Sequence, residues 1–406
     1  MYSKLTINSD LTKLTKKIDG LKDEMIQTLS NLIRIKALAP ENGGDGEIEK
    51  AEYIQTVLSE FDIKRYDSKD DRVSSGIRPN LVVKLKGESK RRLWIVTHMD
   101  VVPEGDLSLW KTPPFEPVIK NGKIYGRGSE DNGQSIVASI FALKAISELN
   151  LTPKYTFCLA FVSDEEVGSK HGILHLLNSG VFRNDDLILV PDAGTSKGDK
   201  IEIAEKSILW LKFTVLGKQG HASRPDKSLN AFRTAIKFLL ELDEILHKTF
   251  NARDDLFNPP YSTFEPTKRE KNVNNINTIP GVDISYMDCR ILPNYKIDDV
   301  IKVVNDVASK YKCVKVDIIQ RHESPPTSEN SKIVVILKRA LKDLRNINAK
   351  VYGIGGNTCA AFFRKAGIDT AVWSTIDGTA HQPNEYAVIN NMIEDSKIFA
   401  VLPFYE

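Results

Sequence analysis

The sequence predicts an α/β protein: a mostly parallel sheet covered by helices, with a smaller α+β domain inserted into it. The chain has 406 residues, more than the roughly 250 to 300 that one hydrophobic core usually supports, so two domains are expected. Short, nearly continuous apolar runs alternate with segments of helical periodicity before about residue 206 and after about residue 320. Between these positions the strands alternate apolar and polar residues, which is typical of a sheet with one exposed face.

Helices are predicted where apolar residues recur every three or four positions. The first stripe predicts one long helix that begins near Asp10, and it runs through Leu14, Ile18, Leu21, Met25, Leu29 and Leu32. Further helices of the larger domain are predicted over residues 47–61, 135–149, 168–177, 333–344 and 359–366.

Strands of the larger domain are predicted from apolar runs of four to eight residues. Such runs indicate strands that are buried on both faces, as in a parallel sheet. They cover residues 81–85, 93–96, 155–162, 187–190 and 370–373.

The inserted domain is predicted over residues 207–319, and the larger domain therefore over 1–206 and 320–406. The insertion contains, in order, a strand, a helix, a strand, a helix and a strand, at residues 209–216, 231–246, 282–291, 297–311 and 314–319. Parallel-sheet patterning resumes after the Pro- and Ser-rich connection 323–331, which indicates a return to the first domain.

The charge balance and the cysteines exclude several classes of protein. There are 56 Lys and Arg residues against 54 Asp and Glu, and the longest basic cluster is Lys90–Arg92. Neither nucleic acid nor a membrane is therefore expected as a partner. The four cysteines are far apart, and residues 1–20 lack the apolar run of a signal peptide or membrane span. We therefore expect a reduced, cytoplasmic protein.

Side chains that bind metal ions follow the predicted strands. His98 and His381 come directly after apolar segments, Glu166 follows strand 155–162, and Asp192 follows strand 187–190. The carboxyl ends of parallel strands meet at one edge of a sheet, where open α/β proteins place their ligands. Asp131, in the glycine-rich loop before helix 135–149, can reach the same edge. Each residue alone is equally typical of a surface or turn position, but their shared position favours one site.

The ligand types predict a pair of zinc ions. Imidazole and carboxylate donors without a thiolate suit zinc, with Co²⁺ or Mn²⁺ as possible occupants. Five ligands are too many for one catalytic zinc, whereas two metals roughly 3.5 Å apart can share a bridging carboxylate. Asp131 is the natural bridge. Asp100 can accept the second ring N–H of His98 and fix its tautomer.

These motifs resemble those of a known family. Thr97–Pro103, Tyr125–Gly128 with Asp131, and Asp164–Ser169 are similar to motifs of the dinuclear zinc metallopeptidases. That family includes aminoacylase, acetylornithine deacetylase, succinyl-diaminopimelate desuccinylase and glutamate carboxypeptidase. Gly217–Ser223 and Asn277–Gly281 resemble its lid-domain motifs. The resemblance implies a zinc-peptidase-like catalytic domain, a ferredoxin-like lid, two Zn²⁺ per chain and a homodimer formed through the lid.

The resemblance also implies a role for each residue. His98 and Asp192 would hold one zinc, Glu166 and His381 the other, with Asp131 between them. Glu165 would be the general base, and His221 would stabilise the oxyanion from the lid. Substrate-binding roles fall on Arg290, Asn277, Gly355, Gly356, Asn357 and Thr358. For Arg290 an ordinary strand-surface position remains the alternative, and for 353–356 a tight glycine turn.

The expected function is hydrolysis of an amide bond by zinc-activated water. The substrate would be a small N-acyl amino acid, as for a deacetylase or desuccinylase, or a short peptide. A dipeptidase or aminopeptidase is the alternative, because Asp192 stands where the deacylases mostly have Glu. A catalytically silent binding protein with the same fold is a third reading. The complete ligand set together with Glu165 argues against it.

Overall fold

The computed structural model describes residues 2–406, with side chains from Ser9 onward. Two compact units divide the chain. The larger consists of Met1–Ile203, Thr327–Val351 and Thr358–Glu406, and the smaller of Ala204–Pro326 and Tyr352–Asn357. The domain boundaries predicted from the sequence are 206/207 and 319/320, against 203/204 and 326/327 for the units of the structure. No sequence pattern indicated that residues 352–357 belong with the inserted segment. Met1, with which the predicted N-terminal segment begins, lies outside the described residues.

The N-terminal stripe forms two helices, so the prediction of one helix beginning near Asp10 was wrong. The first helix is Tyr2–Asp19 and the second is Lys22–Arg34. Gly20 separates them, and its N–H closes a turn onto the carbonyls of Lys16 and Lys17. Glycine costs about 1 kcal/mol in a helix interior, so it is a natural break point. The apolar stripe nevertheless continues across the break and is buried throughout.

The larger unit is built on a sheet that has eight strands within residues 2–406. Their spatial order is Ile63–Arg65, Leu81–Leu85, Tyr155–Val162, Ser89–His98, Leu187–Val190, Thr370–Val372, Lys200–Glu205 and Lys350–Ile354. The four strands from Tyr155–Val162 to Thr370–Val372 pair in parallel. Pairings at both flanks are antiparallel. The predicted α/β class is confirmed, and the parallel part is the centre of the sheet.

Helices cover this sheet. They include Ile48–Val57, Gln134–Glu148, Ile173–Asn178, Lys332–Arg345, Ala360–Lys365 and Ile389–Val401. Gln134–Glu148 is the most deeply buried and begins directly after the loop that carries Asp131. Ile389–Val401 packs against it and was not predicted. Because these helices are fixed by packing, the loops between strand ends and helix starts have anchored ends.

The smaller unit has an antiparallel sheet of four strands in the described chain, in the order Thr263–Arg269, Val282–Ile291, Ser207–Leu216 and Val314–His322. The helices Ala231–Thr249 and Ile297–Ser309 pack on one face of it. The edge strand Thr263–Arg269 was not predicted, because most of its residues are exposed and polar and give no apolar alternation.

Among the helices of residues 2–406, none combines the length and apolar character that crossing a membrane requires.

Candidate metal centre

Three neighbouring parallel strands deliver ligand side chains to one edge of the large sheet. His98 is the last residue of Ser89–His98 and lies opposite Val162 in the register of the next strand. The chain leaves that next strand through the turn that carries Glu165 and Glu166. On the other side, Leu187–Val190 ends two residues before Asp192. Parallel pairing therefore brings the ends of these three strands, and the side chains that follow them, to one edge.

Asp131 lies between the two histidines. Its Oδ1 is 2.8 Å from Nε2 of His98, and its Oδ2 is 3.0 Å from Nε2 of His381. Asp192 Oδ1 lies 3.3 Å from the same His98 nitrogen. Glu166 Oε1 lies 3.1 Å from the same His381 nitrogen. The structure thus brings all five predicted ligands together, in two groups joined by one carboxylate.

The charges of this cluster are strongly coupled. Burial raises the pKa of Glu166 to about 7, with the negative charge of Asp131 acting in the same direction. Hydrogen bonds to Asp131 and Glu166 raise the pKa of His381 to about 10. Burial alone would lower the pKa of His98, but the carboxylates of Asp192 and its other neighbours outweigh it and raise that pKa well above its usual range. The site therefore holds an excess of half-buried carboxylate over the positive charge of its two histidines.

The donors present fit a pair of divalent cations. Nitrogen and oxygen donors from His98, Asp131 and Glu166 all lie within 4.8 Å of one another, as do those from His98, Glu165 and Asp192. In the described part of the chain these groups contain no cysteine, so they suit a borderline metal such as zinc rather than one that needs thiolate. The two oxygens of Asp131 face different histidines, which is the arrangement of a bridging carboxylate.

Glu165 is a half-buried member of the same cluster. Burial and the charge of Asp192 raise the pKa of its carboxyl group well above the usual range. A carboxylate with a raised pKa beside the ligands is suited to accept a proton near neutral pH. Its position in the group with His98 and Asp192 also puts its oxygens within reach of a metal held there.

Asp100 connects the end of one strand to the ligand turn. Its carboxylate oxygens accept the backbone N–H groups of Glu165 and Glu166, each at 3.0 Å. Nδ1 of His98 lies 3.1 Å from the carbonyl oxygen of Asp100 and 3.4 Å from its carboxylate. The backbone oxygen is thus the nearer acceptor for the ring, and the carboxylate orients the turn as well.

His221 and Asn277 lie in the smaller unit, at a ribbon of two short paired strands, Gly220–His221 and Thr278–Ile279. His221 ends the first strand, and Asn277 directly precedes the second. His221 pairs with Thr278 in the register of that ribbon, and the N–H of Ala222 donates to the carbonyl of Asn277. The imidazole is exposed, and its Nδ1 lies 2.8 Å from the hydroxyl of Ser223. The predicted lid residues thus share one ribbon of the smaller unit.

Arg290 also lies in the smaller unit, and its guanidinium already holds a carboxylate. Nε and Nη2 donate to the two oxygens of Asp288 at 2.7 and 3.0 Å. Nη1 donates to the carbonyl of Gly355 at 3.2 Å. The bidentate fork that was predicted to grip substrate is therefore engaged within the chain, while about a quarter of the side chain stays exposed.

The glycine loop after strand Lys350–Ile354 is not a turn with positive φ. Neither Gly355 nor Gly356 has a left-handed backbone, and both face open space. Asn357 donates its amide to Glu205 at 3.0 Å. Thr358 belongs to the larger unit, where its hydroxyl accepts the N–H of Ala360 at the start of a helix. These four residues are consecutive in the chain but have separate structural partners.

Comparison with known proteins decides the family. Residues 94–403 match the profile of peptidase family M20/M25/M40. The chain belongs to this family. It is a metallohydrolase with a mixed α/β fold.

Relatives of this M20 chain match it over nearly its full length. An uncharacterized metallohydrolase of Methanocaldococcus jannaschii is 45% identical over 403 residues, which cover 93% of this chain and 98% of the relative. The succinyl-diaminopimelate desuccinylase of Buchnera aphidicola subsp. Cinara cedri is 28% identical over 91% of this chain and 95% of its own. Among solved structures, an M20 metallo-carboxypeptidase of Sulfolobus solfataricus has a TM-score of 0.74 at 20% identity, covering 94% and 99% of the two chains.

Three residues of the M20 site were missed in the sequence. Asn132 donates its amide to Asp192 Oδ1 at 3.0 Å and to the carbonyl of Pro191 at 2.9 Å. Glu130 and Glu385 are buried carboxylates on the two irregular segments that carry Asp131 and His381. Their closeness to ligands in sequence was the available signal, but no spacing distinguishes such a carboxylate from a ligand or from a surface residue.

Proposed function

We propose that this metallohydrolase binds two divalent metal ions, zinc in preference to cobalt or manganese, and hydrolyses an amide bond of an N-acyl amino acid. His98 and Asp192 would hold one ion, Glu166 and His381 the other, and Asp131 would bridge them. The observation that carries the proposal is the position of Asp131, whose two oxygens face different histidines at 2.8 and 3.0 Å. A single-metal site has no need for that arrangement.

Bound metal ions of this kind activate water and polarise a carbonyl group. The chain supplies the proton transfers. Glu165 takes a proton from the attacking water and delivers it to the nitrogen of the leaving amine as the C–N bond breaks. Asp100 fixes the Glu165 backbone by accepting its N–H. His221 would donate a hydrogen bond to the oxyanion that develops on the carbonyl oxygen.

An N-acyl amino acid is favoured as the substrate class by the relatives. The desuccinylase of Buchnera aphidicola subsp. Cinara cedri aligns with this chain over nearly the whole length of both. Arg290 would bind the carboxylate of the amino-acid part by exchange with Asp288, since a guanidinium matches a carboxylate bidentately. Asn277, Asn357 and the glycine loop would complete that contact.

A dipeptidase or aminopeptidase activity is the second candidate. It is favoured by Asp192, which is one methylene shorter than the Glu expected in the deacylases. In this chain Asn132 donates to Asp192 Oδ1 at 3.0 Å, so the shorter side chain is held in place. Hydrolysis rates on N-acetyl and N-succinyl amino acids beside unblocked dipeptides separate the two candidates. Turnover of unblocked peptides alone would remove the N-acyl assignment.

Metal content tests the centre itself. Purified protein reconstituted with Zn²⁺ and measured by elemental analysis should hold about two ions per chain. Asp131→Asn should lower that number to one or less, because both ions lose their shared ligand. A wild-type protein that holds only trace metal would contradict the proposal.

Glu165→Gln tests the general base. The variant should keep its metal ions and lose turnover by roughly 10²- to 10⁴-fold, the usual contribution of such a group. Glu88→Gln is a suitable control, since Glu88 is exposed just before strand Ser89–His98, at the end away from His98. Full activity in Glu165→Gln would remove Glu165 as the base, and loss of metal in that variant would make it a ligand.

A homodimer formed through the smaller unit is also proposed. Phe232, Ile236 and Leu240 follow one another at four-residue spacing on helix Ala231–Thr249, and each is at least 40% exposed. An exposed apolar stripe of this kind is typical of a protein interface. Sedimentation velocity should give the mass of two chains, and Ile236→Glu should shift it to one. A monomeric wild-type protein at micromolar concentration would refute the assembly.

A further inference from the structure

Two buried carboxylates connect the segments that carry Asp131 and His381. Glu130 directly precedes Asp131, and Glu385 follows His381 by four residues. Glu130 is 3% exposed and Glu385 is fully buried. Neither belongs to the predicted ligand set, and each side chain points away from its own segment onto the other.

Glu130 binds the backbone that leads into His381. Its Oε1 accepts the N–H groups of Asp377 at 2.7 Å and Gly378 at 3.2 Å. Its Oε2 accepts the N–H of Ala380 at 3.0 Å, and both the N–H and the hydroxyl of Thr379. One carboxylate therefore satisfies the donors of four consecutive residues that lie outside any helix or strand.

Glu385 binds the backbone that leads into Asp131 in the same way. Its Oε1 accepts the N–H groups of Glu130 at 3.0 Å and of Asp131 itself at 3.1 Å. Its Oε2 accepts the N–H of Gly128 at 3.0 Å and pairs with Nη1 of Arg127 at 2.7 Å. Each segment thus supplies a carboxylate that accepts hydrogen bonds from the backbone of the other segment and orders it.

These contacts control the relative position of two ligands. Backbone N–H groups of a buried irregular segment have no ladder to join and must find other acceptors. Charge-assisted hydrogen bonds to a carboxylate are roughly twice as strong as neutral ones. The carboxylate of Asp131 and the imidazole of His381, which meet at 3.0 Å, are each attached to a segment held in this way.

We propose that Glu130 and Glu385 are positioning residues that set the distance between Asp131 and His381. They would thereby determine the affinity of the metal site formed by Glu166, His381 and the shared Asp131. The inference rests on the dinuclear centre proposed above. Neither residue is among the proposed metal ligands or substrate-binding residues. Outer contacts that orient metal ligands typically change affinity by ten- to hundredfold when they are removed.

Glu130→Gln and Glu385→Gln test the inference, because each places an NH₂ group against N–H donors with little change of shape. Metal affinity is measured by titrating Co²⁺ into the metal-free full-length chain and following its visible absorption bands. We expect the weaker of two binding steps to lose affinity ten- to hundredfold in either variant, with altered bands. Thr379→Val removes the hydroxyl that donates to Glu130 and that also contacts the backbone of Tyr386. It should weaken the same step in a protein that folds even if Glu130→Gln does not.

Asp186→Asn is the matched control. Asp186 is also a buried carboxylate that accepts several donors, from Arg92, Trp94 and the N–H of Arg183. It precedes strand Leu187–Val190 and so lies at the opposite edge of the sheet from the ligands. Loss of this carboxylate should lower thermal stability and leave both Co²⁺ steps unchanged.

The outcomes separate this inference from the proposed function. If wild type and Asp186→Asn bind two ions and the Glu130, Glu385 and Thr379 variants bind both with the same affinity, the positioning role is refuted and the metal centre stands. If wild type binds fewer than two ions, the centre and the inference fail together. If Asp186→Asn weakens metal binding as much as the two Gln variants do, the effect is general destabilisation. That result would also refute the positioning role.

Discussion

Replacing Arg78 by methionine should destabilise the protein more than replacing its partner Glu47. The two side chains form a bidentate ion pair, with Nε of Arg78 2.7 Å from Oε2 of Glu47 and Nη2 on Oε1. Neither side chain has any exposed surface. Oε1 of Glu47 also accepts the N–H of Asp164, the residue before Glu165, so the pair supports the turn of the metal centre.

The difference between the two variants follows from the remaining partners. In Arg78→Met, Glu47 keeps the N–H of Asp164 and the hydroxyl of Ser163 but no cationic partner in contact with it, and an unpaired buried charge costs about 3–5 kcal/mol. In Glu47→Met, Arg78 retains Asp70 at 3.5 Å and Asp164 at 4.0 Å. We therefore expect a loss of about 1–3 kcal/mol there. The double variant carries no unpaired Glu47 and should be no less stable than Arg78→Met alone, which corresponds to a coupling energy of roughly 2 kcal/mol or more.

Urea unfolding monitored by circular dichroism gives the free energies for this cycle. The measurements are made in excess chelator, so that metal binding does not contribute to the free energy of unfolding. Equal m-values across the four proteins are required, because a changed m would mean a changed denatured state. A larger loss in Glu47→Met than in Arg78→Met, or two losses that simply add, would refute the reasoning.

Burial lowers the pKa of Lys50 to about 8, so between pH 8 and about 10.5 the unfolded state binds more protons and stability rises with pH. In metal-free protein, the free energy of unfolding of Lys50→Met should therefore exceed that of wild type by up to roughly 3 kcal/mol at pH 7, and this difference should shrink towards pH 10. A difference independent of pH would contradict the prediction. Asp288→Asn should lower KM several-fold by freeing Arg290, whereas Asp298→Asn, at an exposed ion pair, should not change it; an unchanged KM in Asp288→Asn would show that Arg290 does not meet the substrate. Chelation should lower the melting temperature, and returning metal at a thousandfold its Kd should restore about 4 kcal/mol per site; a melting temperature independent of metal would argue against specific sites.

The centre of the fold could be predicted because it consists of continuous apolar runs. Strands 155–162 and 187–190 have the bounds that the sequence indicated. The strands Lys200–Glu205 and Thr263–Arg269 were missed. The first alternates charged with apolar residues and so lacks the continuous apolar run from which strands of the larger domain were predicted, and the second lies at an exposed edge. Local patterns identify segments that are buried by themselves, whereas edge strands are defined by their neighbours.

The convergence of the proposed ligands at one edge of the sheet was predictable for a similar reason. Parallel strands end at one edge, so a histidine or acid after each strand is informative from its position alone. The contacts of Glu130 with Ala380 and of Glu385 with Asp131 join residues about 250 positions apart. No local sequence pattern predicts such a pairing. The pair of Arg290 with Asp288 was missed although the two residues are close in sequence, because a strand pattern does not report which side chains hydrogen-bond along one face.

If Arg290 binds the substrate carboxylate as proposed, its ion pair with Asp288 makes that binding an exchange rather than an addition. A carboxylate that enters must replace one already held at 2.7 and 3.0 Å, so the number of charge-assisted hydrogen bonds hardly changes. A small organic acid such as acetate would gain almost nothing from the swap and would be a poor inhibitor. A ligand would bind only if the rest of the molecule also made contacts, which separates whole substrates from fragments that carry the same charged group.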